Sequence, residues 1–228
     1  KFDAPDPKPV DGGGAVATTE KRLALVIGNS NYLHGGTLRN PVNDARSMQT
    51  ALEKLGFKVL KYENCDQATI KRAIDDFGRQ LQGYDVGLFF YAGHGLQVNG
   101  SNFLVPTDAK IENEDEVEYD CVMADRVLAK MESSKTKTNL VILDACRNNP
   151  FERSWSRSGG NGKGLAFMNA PVGSLIAYAT SPGNTASDGA GANGLYTESL
   201  LTEIDNPSTS IMEMFQKVAT QEGNRSSG

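Results

Sequence analysis

Asp85-Val86-Gly87-Leu88-Phe89-Phe90-Tyr91-Ala92-Gly93-His94-Gly95 and Asn139-Leu140-Val141-Ile142-Leu143-Asp144-Ala145-Cys146-Arg147 decide the reading of this chain. Each opens as a short apolar run, the pattern of a strand buried on both faces. Each run then stops at a glycine-rich or polar step that carries one reactive side chain: His94 in the first, Cys146 in the second. In an open parallel sheet, chemistry gathers beyond the carboxyl ends of the strands. Two such ends would set an imidazole beside a thiol, the pairing that makes a cysteine nucleophilic. A lone cysteine in a core strand is usually an inert buried thiol, and that reading suits Cys65 and Cys121. A lone histidine is usually a hydrogen-bonded core or surface residue, which suits His34 in Tyr32-Leu33-His34-Gly35-Gly36.

Outward from these two runs, strand-like and helix-like stretches alternate. Leu23 to Gly28 is another continuous apolar run. A helix from a cap at Asn43 to Leu55 carries Ala45, Met48, Ala51, Leu52 and Leu55 at helical spacing, and Gly56 closes it. Phe57 to Tyr62 is the second strand, Gln67 to Leu81 a second amphipathic helix, and Val86 to Tyr91 the third strand. Asn99-Gly100 is a two-residue turn signal inside a hairpin from Gln97 to Pro106. The acidic stretch Glu112 to Asp120 reads as a solvated loop, and Ala124 to Glu132 as a helix. Leu140 to Leu143 and Ser174 to Ala179 are the fourth and fifth strands, and Tyr196 to Ile204 and Ile211 to Gln221 are helices. Ser154 to Gly164 and Ser181 to Gly194 are loops rich in small polar residues. The expected fold class is α/β, a mostly parallel central sheet of about six strands with helices on both faces.

Size and charge narrow the function. The chain has 228 residues, 39% of them hydrophobic, enough for one domain with a sizeable core. Residues 1–20, rich in Pro, Gly, Ala and Asp, read as a flexible leader, and 21–228 as the folded domain. A net charge of −5 argues against nucleic-acid binding and favours basic substrates. No apolar run is long enough to span a membrane. Three cysteines without a CxxC pair, and only two histidines, give no disulfide framework and no zinc pattern. Neither G-x-G-x-x-G nor G-x-x-x-x-G-K-[ST] follows the first strand, so a nucleotide site is not indicated. The compartment stays open, since a segment removed before Lys1 would leave no trace.

Arg22 to Gly28, Asn43-Asp44-Ala45-Arg46, Tyr91-Ala92-Gly93-His94-Gly95, Asp144-Ala145-Cys146-Arg147-Asn148 and Ser174 to Thr180 together resemble the caspase superfamily. The histidine lies about 50 residues upstream of the cysteine, as it does in caspases. The likeness is greatest to bacterial members of the metacaspase and paracaspase type and runs from about Glu20 to Gln221. It implies the caspase–hemoglobinase fold and cysteine endopeptidase activity. Cys146 would be the nucleophile, His94 the general base and acid, and the N–H groups of Gly95 and Cys146 the oxyanion hole. The resemblance also implies that an extended substrate pairs with Ala179, Thr180 and Ser181 after the fifth strand. No cofactor is expected. Many metacaspases need calcium and paracaspases generally do not, and Glu112 to Asp120 does not match an EF-hand loop.

Specificity is read from a departure. Caspases that cut after aspartate line the pocket for that residue with arginines, whereas here Asp144 stands two residues before the cysteine. Asp44 resembles a second pocket acid, and Asp188 a third. Carboxylates in a concave pocket favour Arg over Lys, because the guanidinium gains paired hydrogen bonds. Asp44 also sits where a helix N-terminus favours an acid, and Asp144 where strand-end N–H groups would satisfy one. The expected partners are peptides or proteins with exposed Arg or Lys, met by a monomer. Arg157 and Lys163, in the loop after the cysteine, are candidate self-cleavage sites. A rival reading is a catalytically silent caspase-like interaction module. A third, a thiol hydrolase of small molecules, leaves the acid pair without a role.

Overall fold

Leu23-Ala24-Leu25-Val26-Ile27 offers no polar residue to either side of a pleat, so its strand must be covered twice. All five side chains are completely buried. The computed structural model describes residues 20–146, 151, 165–179, 191–206 and 208–225, with the side chains of 146 and 222–225 not described. In chain order the elements are β1 (Arg22–Gly28), α1 (Pro41–Lys54), β2 (Phe57–Glu63), α2 (Gln67–Leu81), β3 (Val86–Val98) and β4 (Ser101–Leu104). They continue with α3 (Val117–Asp120), β5 (Val122–Met123), α4 (Asp125–Ser134), β6 (Thr138–Cys146), β7 (Ser174–Tyr178), α5 (Leu195–Ile204) and α6 (Ile211–Arg225).

Five strands run parallel in the order β2-β1-β3-β6-β7, and β4 and β5 extend antiparallel from the far half of β3. Alternation along the strands sorts the core into two layers. Leu23, Leu25, Ile27, Phe89, Tyr91, Val141 and Leu143 pack under Ile70, Ile74 and Phe77 of α2 and Val127 and Met131 of α4. Ala24, Val26, Leu88, Phe90, Leu140 and Ile142 face Met48 and Leu52 of α1, Leu200 of α5 and Val218 of α6. The expected α/β sheet with helices on both faces is therefore what the chain forms, with seven strands among the described residues instead of about six. The addition is β5, two residues long, bridging Val122 and Met123 to Leu104 and Phe103.

Local chemistry sets the helix ends. The first helix begins at Pro41, with Asn40 rather than Asn43 in the capping position. Proline suits the first turn because its φ is preset and its missing N–H is not needed there. In α2 the Asp66 carboxylate accepts from Thr69 N at 2.7 Å. Asn99 and Gly100 both have positive φ, 50° and 79°, which is the turn that matches strand twist in the β3–β4 hairpin. The acidic stretch is not an open loop throughout. Glu114–Glu116 forms a single 3-10 turn and leads into α3. The Glu116 carboxylate accepts from the N–H groups of Glu112 (2.6 Å) and Asn113 (3.1 Å), and Val117 is fully buried beneath the hairpin.

The third strand differs most from expectation. It runs on through Gly93, His94 and Gly95 to Val98 instead of stopping at Tyr91. Up to His94 it pairs with β6, and from Gly95 onward with β4. His94 therefore stands where one strand changes partners, not at a strand end. A backbone at such a switch must find new hydrogen-bond partners, and finding them shapes the site.

Candidate active site

His94 and Cys146 are directly opposite in the parallel β3–β6 register. Cys146 is the last residue of β6. The histidine is 6% exposed, and its backbone is held by two tyrosines. Its N–H donates to Tyr32 Oη at 2.7 Å. Tyr91 Oη lies 2.8 Å from the His94 carbonyl and 3.1 Å from that of Val105, so its single proton is shared between them. The Tyr32 ring also packs on the imidazole, centroids 4.5 Å apart and tilted by 51°. Gly93, at φ +153°, makes room for this arrangement. A Cβ there would fall 2.5 Å from Tyr32 Oη and 2.8 Å from Tyr91 Oη.

Neither nitrogen of the His94 ring has a hydrogen-bond partner among the described residues. Burial pushes its pKa down to about 4, and the nearby Gly35 backbone only partly opposes this. The ring is therefore neutral at neutral pH, able to accept a proton. A charged ring would face the desolvation penalty of a buried cation.

The two acids expected in a pocket converge from different elements. Asp44, in the first turn of α1, is 2% exposed. Asp144 lies on β6, two residues before Cys146 and opposite Ala92. The Gly194 N–H donates to Asp44 Oδ1 at 2.9 Å, and Thr197 Oγ1 donates to Asp144 Oδ2 at 2.6 Å. A Cβ on Gly194 would sit 3.3 Å from Asp44 Oδ2 and 3.6 Å from Asp144 Oδ2, so both carboxylates approach one point. Neighbouring carboxylates repel, and a concentrated negative site of this kind attracts a cation.

The remaining expectations are distributed as follows. Gly95 is buried in β3, where a Cβ would stand 2.9 Å from Ala145 Cβ. Ala179 follows β7 and donates its N–H to the Leu143 carbonyl at 3.0 Å. Thr180, Ser181, Asp188, Arg157 and Lys163 lie outside the described residues, as do residues 1–19 and the Cys146 side chain. Cys65 and Cys121 are buried free thiols. Burial pushes Cys65 up to about 12 and Cys121 upward as well. His34 is exposed. Among the described residues no cluster of three or more His, Cys, Asp or Glu side chains is arranged for a metal ion. None of their helices is long and apolar enough to cross a membrane.

Several contacts had no sequence signal. Asn29, after β1, donates its N–H to Ala92 O at 2.9 Å, and its amide bridges Cys65 N (2.9 Å) and Val105 O (3.2 Å). This ties the loop after β1 to the strand carrying His94. Tyr32, Gly194 and Thr197 were likewise unmarked, because each acts through partners far away in sequence, and Tyr91 because its hydroxyl links the nearby His94 carbonyl to that of Val105 across the hairpin.

The Caspase domain family model matches residues 21–222. The human mucosa-associated lymphoid tissue lymphoma translocation protein 1 is 33% identical over 126 residues, covering 55% of this chain and 15% of that protein. Mouse Caspase-1 is 27% identical over 132 residues, 57% of this chain and 32% of its own length. The chain thus spans a minor part of these relatives, which are animal proteins and lend no support to a bacterial origin. Among solved structures, the Drosophila initiator caspase Dronc aligns with a TM-score of 0.65 at 15% identity, over 98% of this chain and 85% of Dronc. Caspase-1 from Spodoptera frugiperda aligns with a TM-score of 0.64 at 18% identity, over 89% and 77%. Those structural likenesses carry the fold, and the family model carries the kinship: the chain belongs to the caspase family.

Proposed function

We propose that this domain is a cysteine endopeptidase that cuts after basic residues, Arg before Lys. The carrying observation is that His94 and Cys146 are register partners on β3 and β6, while the carboxylates of Asp44 and of Asp144, two residues before Cys146, converge. Cys146 attacks the peptide carbonyl, and His94, neutral at rest, takes the thiol proton and returns it to the leaving amine. N–H groups of Gly95 and Cys146 receive the oxyanion, a contribution typically of about 3 kcal/mol per donor. Asp44 and Asp144, with Asp188 as a third acid, receive the Arg side chain. The substrate pairs as a strand along Ala179, Thr180 and Ser181. The domain's negative charge steers basic peptides towards it. Its substrates are peptides or proteins exposing Arg or Lys, it needs no cofactor, and it acts as a monomer.

The test is turnover of fluorogenic peptides ending in Arg, Lys or Asp by the purified domain and by Cys146→Ala. Cleavage after Arg, weaker cleavage after Lys, none after Asp, and none at all by Cys146→Ala are expected. Efficient cleavage after Asp would refute the pocket. Full activity of Cys146→Ala would refute the nucleophile.

A further inference from the structure

The acid pair is not simply exposed to an empty pocket. Its carboxylates are held by the start of α5, which belongs to neither of the elements that carry them. Gly194 is the capping residue of α5 and has no side chain to satisfy the first turn. Its N–H is satisfied from outside, by Asp44. Thr197, inside the first turn, is completely buried and gives its hydroxyl proton to Asp144. A buried threonine hydroxyl usually returns to its own helix backbone; this one bonds a side chain across the site. Charge-assisted hydrogen bonds to a carboxylate are stronger and shorter than neutral ones, and 2.6 Å is at the short end. The positive end of the α5 dipole adds to the same effect.

We propose that Thr197 and Gly194 are positioning residues that fix the substrate specificity of the acid pair. This rests on the reading of Asp44 and Asp144 as the pocket for a basic side chain. Like charges brought together repel and turn apart unless something holds them. Gly194 and Thr197 each take one oxygen of one carboxylate, Oδ1 of Asp44 and Oδ2 of Asp144. Both residues thereby fix carboxylate orientation without touching the scissile bond. A guanidinium needs two oxygens at set angles, whereas an ammonium is a compact charge indifferent to them. Loss of the Thr197 hydroxyl should therefore weaken recognition of Arg more than that of Lys.

Gly194 plays a second part through its size. Its backbone, φ −62° and ψ 150°, is open to any residue, so glycine is not there for its conformational freedom. A methyl at this position would crowd Asp44 Oδ2 at 3.3 Å and approach Asp144 Oδ2 at 3.6 Å. Gly194→Ala thus perturbs the pair sterically, and Thr197→Val perturbs it by removing a donor at nearly constant volume. Two unrelated substitutions should converge on one phenotype.

Agmatine, a free guanidinium without a peptide bond, separates this inference from catalysis. Its binding by titration calorimetry should be measured in a Cys146→Ala background with Thr197, Thr197→Val, Thr197→Ser and Gly194→Ala. Arg and Lys peptide turnover follows in the active enzyme. Thr197→Val should bind agmatine about tenfold more weakly, the scale of one hydrogen bond to a charged group. KM for Arg peptides should rise by a similar factor with little change in kcat, and the effect on Lys peptides should be smaller. Thr197→Ser keeps the hydroxyl and should restore both. Gly194→Ala should also weaken agmatine binding, which keeps the inference testable if Thr197→Val fails to fold. Agmatine binding unchanged in folded Thr197→Val and in Gly194→Ala overturns the positioning role and leaves the basic pocket standing. No agmatine binding and no Arg turnover by the unsubstituted protein overturns both.

Discussion

Lowering the pH from 7 to 5 should destabilise the folded domain by about 2 kcal/mol through His94 alone. The imidazole titrates near 4 in the folded chain against an ordinary 6.5, because burial disfavours its charged form. Its folded pKa is depressed, so the stability is present above the unfolded value and is lost as pH falls towards the folded one. Between pH 6.5 and 4 the unfolded ring binds a proton and the folded ring does not. At pH 5 most of a pKa gap of this size has been drawn on, at about 1.4 kcal/mol per unit. The domain's strongly paired carboxylates act in a lower window. Glu63 is pulled down to about 2, first by its hydrogen bond from Arg46 and then by that from Lys61. Asp75, beside Lys130 and Arg126, is lowered too. Their contribution is lost only as pH falls below the ordinary carboxylate value, about 4.5. Urea melts at pH 7 and 5 of wild type and His94→Asn are the assay. With a slope of about 2 kcal/mol per molar urea, the wild-type midpoint should fall by about 1 M. The variant's midpoint should hardly move, whatever its absolute stability. Equal falls in both proteins, or none in the wild type, would show that His94 is not held neutral by burial.

Tyr91→Phe removes the hydroxyl shared by the His94 and Val105 carbonyls; it should cost about 1–3 kcal/mol in urea melts and lower kcat with KM unchanged. Gly95→Ala drives a methyl to 2.9 Å from Ala145 Cβ and should destabilise by about 1–3 kcal/mol, read as a lower urea midpoint at an unchanged slope. Self-processing at Arg157 or Lys163 should appear as new N-termini when wild type is incubated alone; the same nicks in Cys146→Ala would assign them to another protease.

Much of this molecule could be read from its sequence because the dominant signal is local. Runs such as Leu23 to Ile27 and Leu140 to Leu143 are short, continuous and β-branched in part, and with polar or glycine residues at their ends they read as strands buried on both faces. Ile70, Ala73, Ile74, Phe77 and Leu81 repeat at helical spacing, and α2 lies where they put it. Asn99-Gly100 announces its turn through the positive φ it tolerates. Boundaries were less legible, since a Pro at the first turn outweighs an Asn two residues later, and a capping carboxylate organises an acidic stretch that composition marks as solvated.

By itself, then, the sequence determined the layered α/β sheet, the family, and which acids, histidine and cysteine deserved attention. Periodicity and side-chain chemistry act within a few residues and survive in a one-dimensional string. Only the tertiary structure decided that β3 continues past His94, that Tyr32 and Tyr91 grip its backbone, and that α5 holds Asp44 and Asp144 through Gly194 and Thr197. Except for Tyr91, three residues from His94, those contacts join residues far apart in the chain. Each arises where a buried polar group must find a partner, and which partner it finds is set by the packing of whole elements, not by its neighbours in sequence.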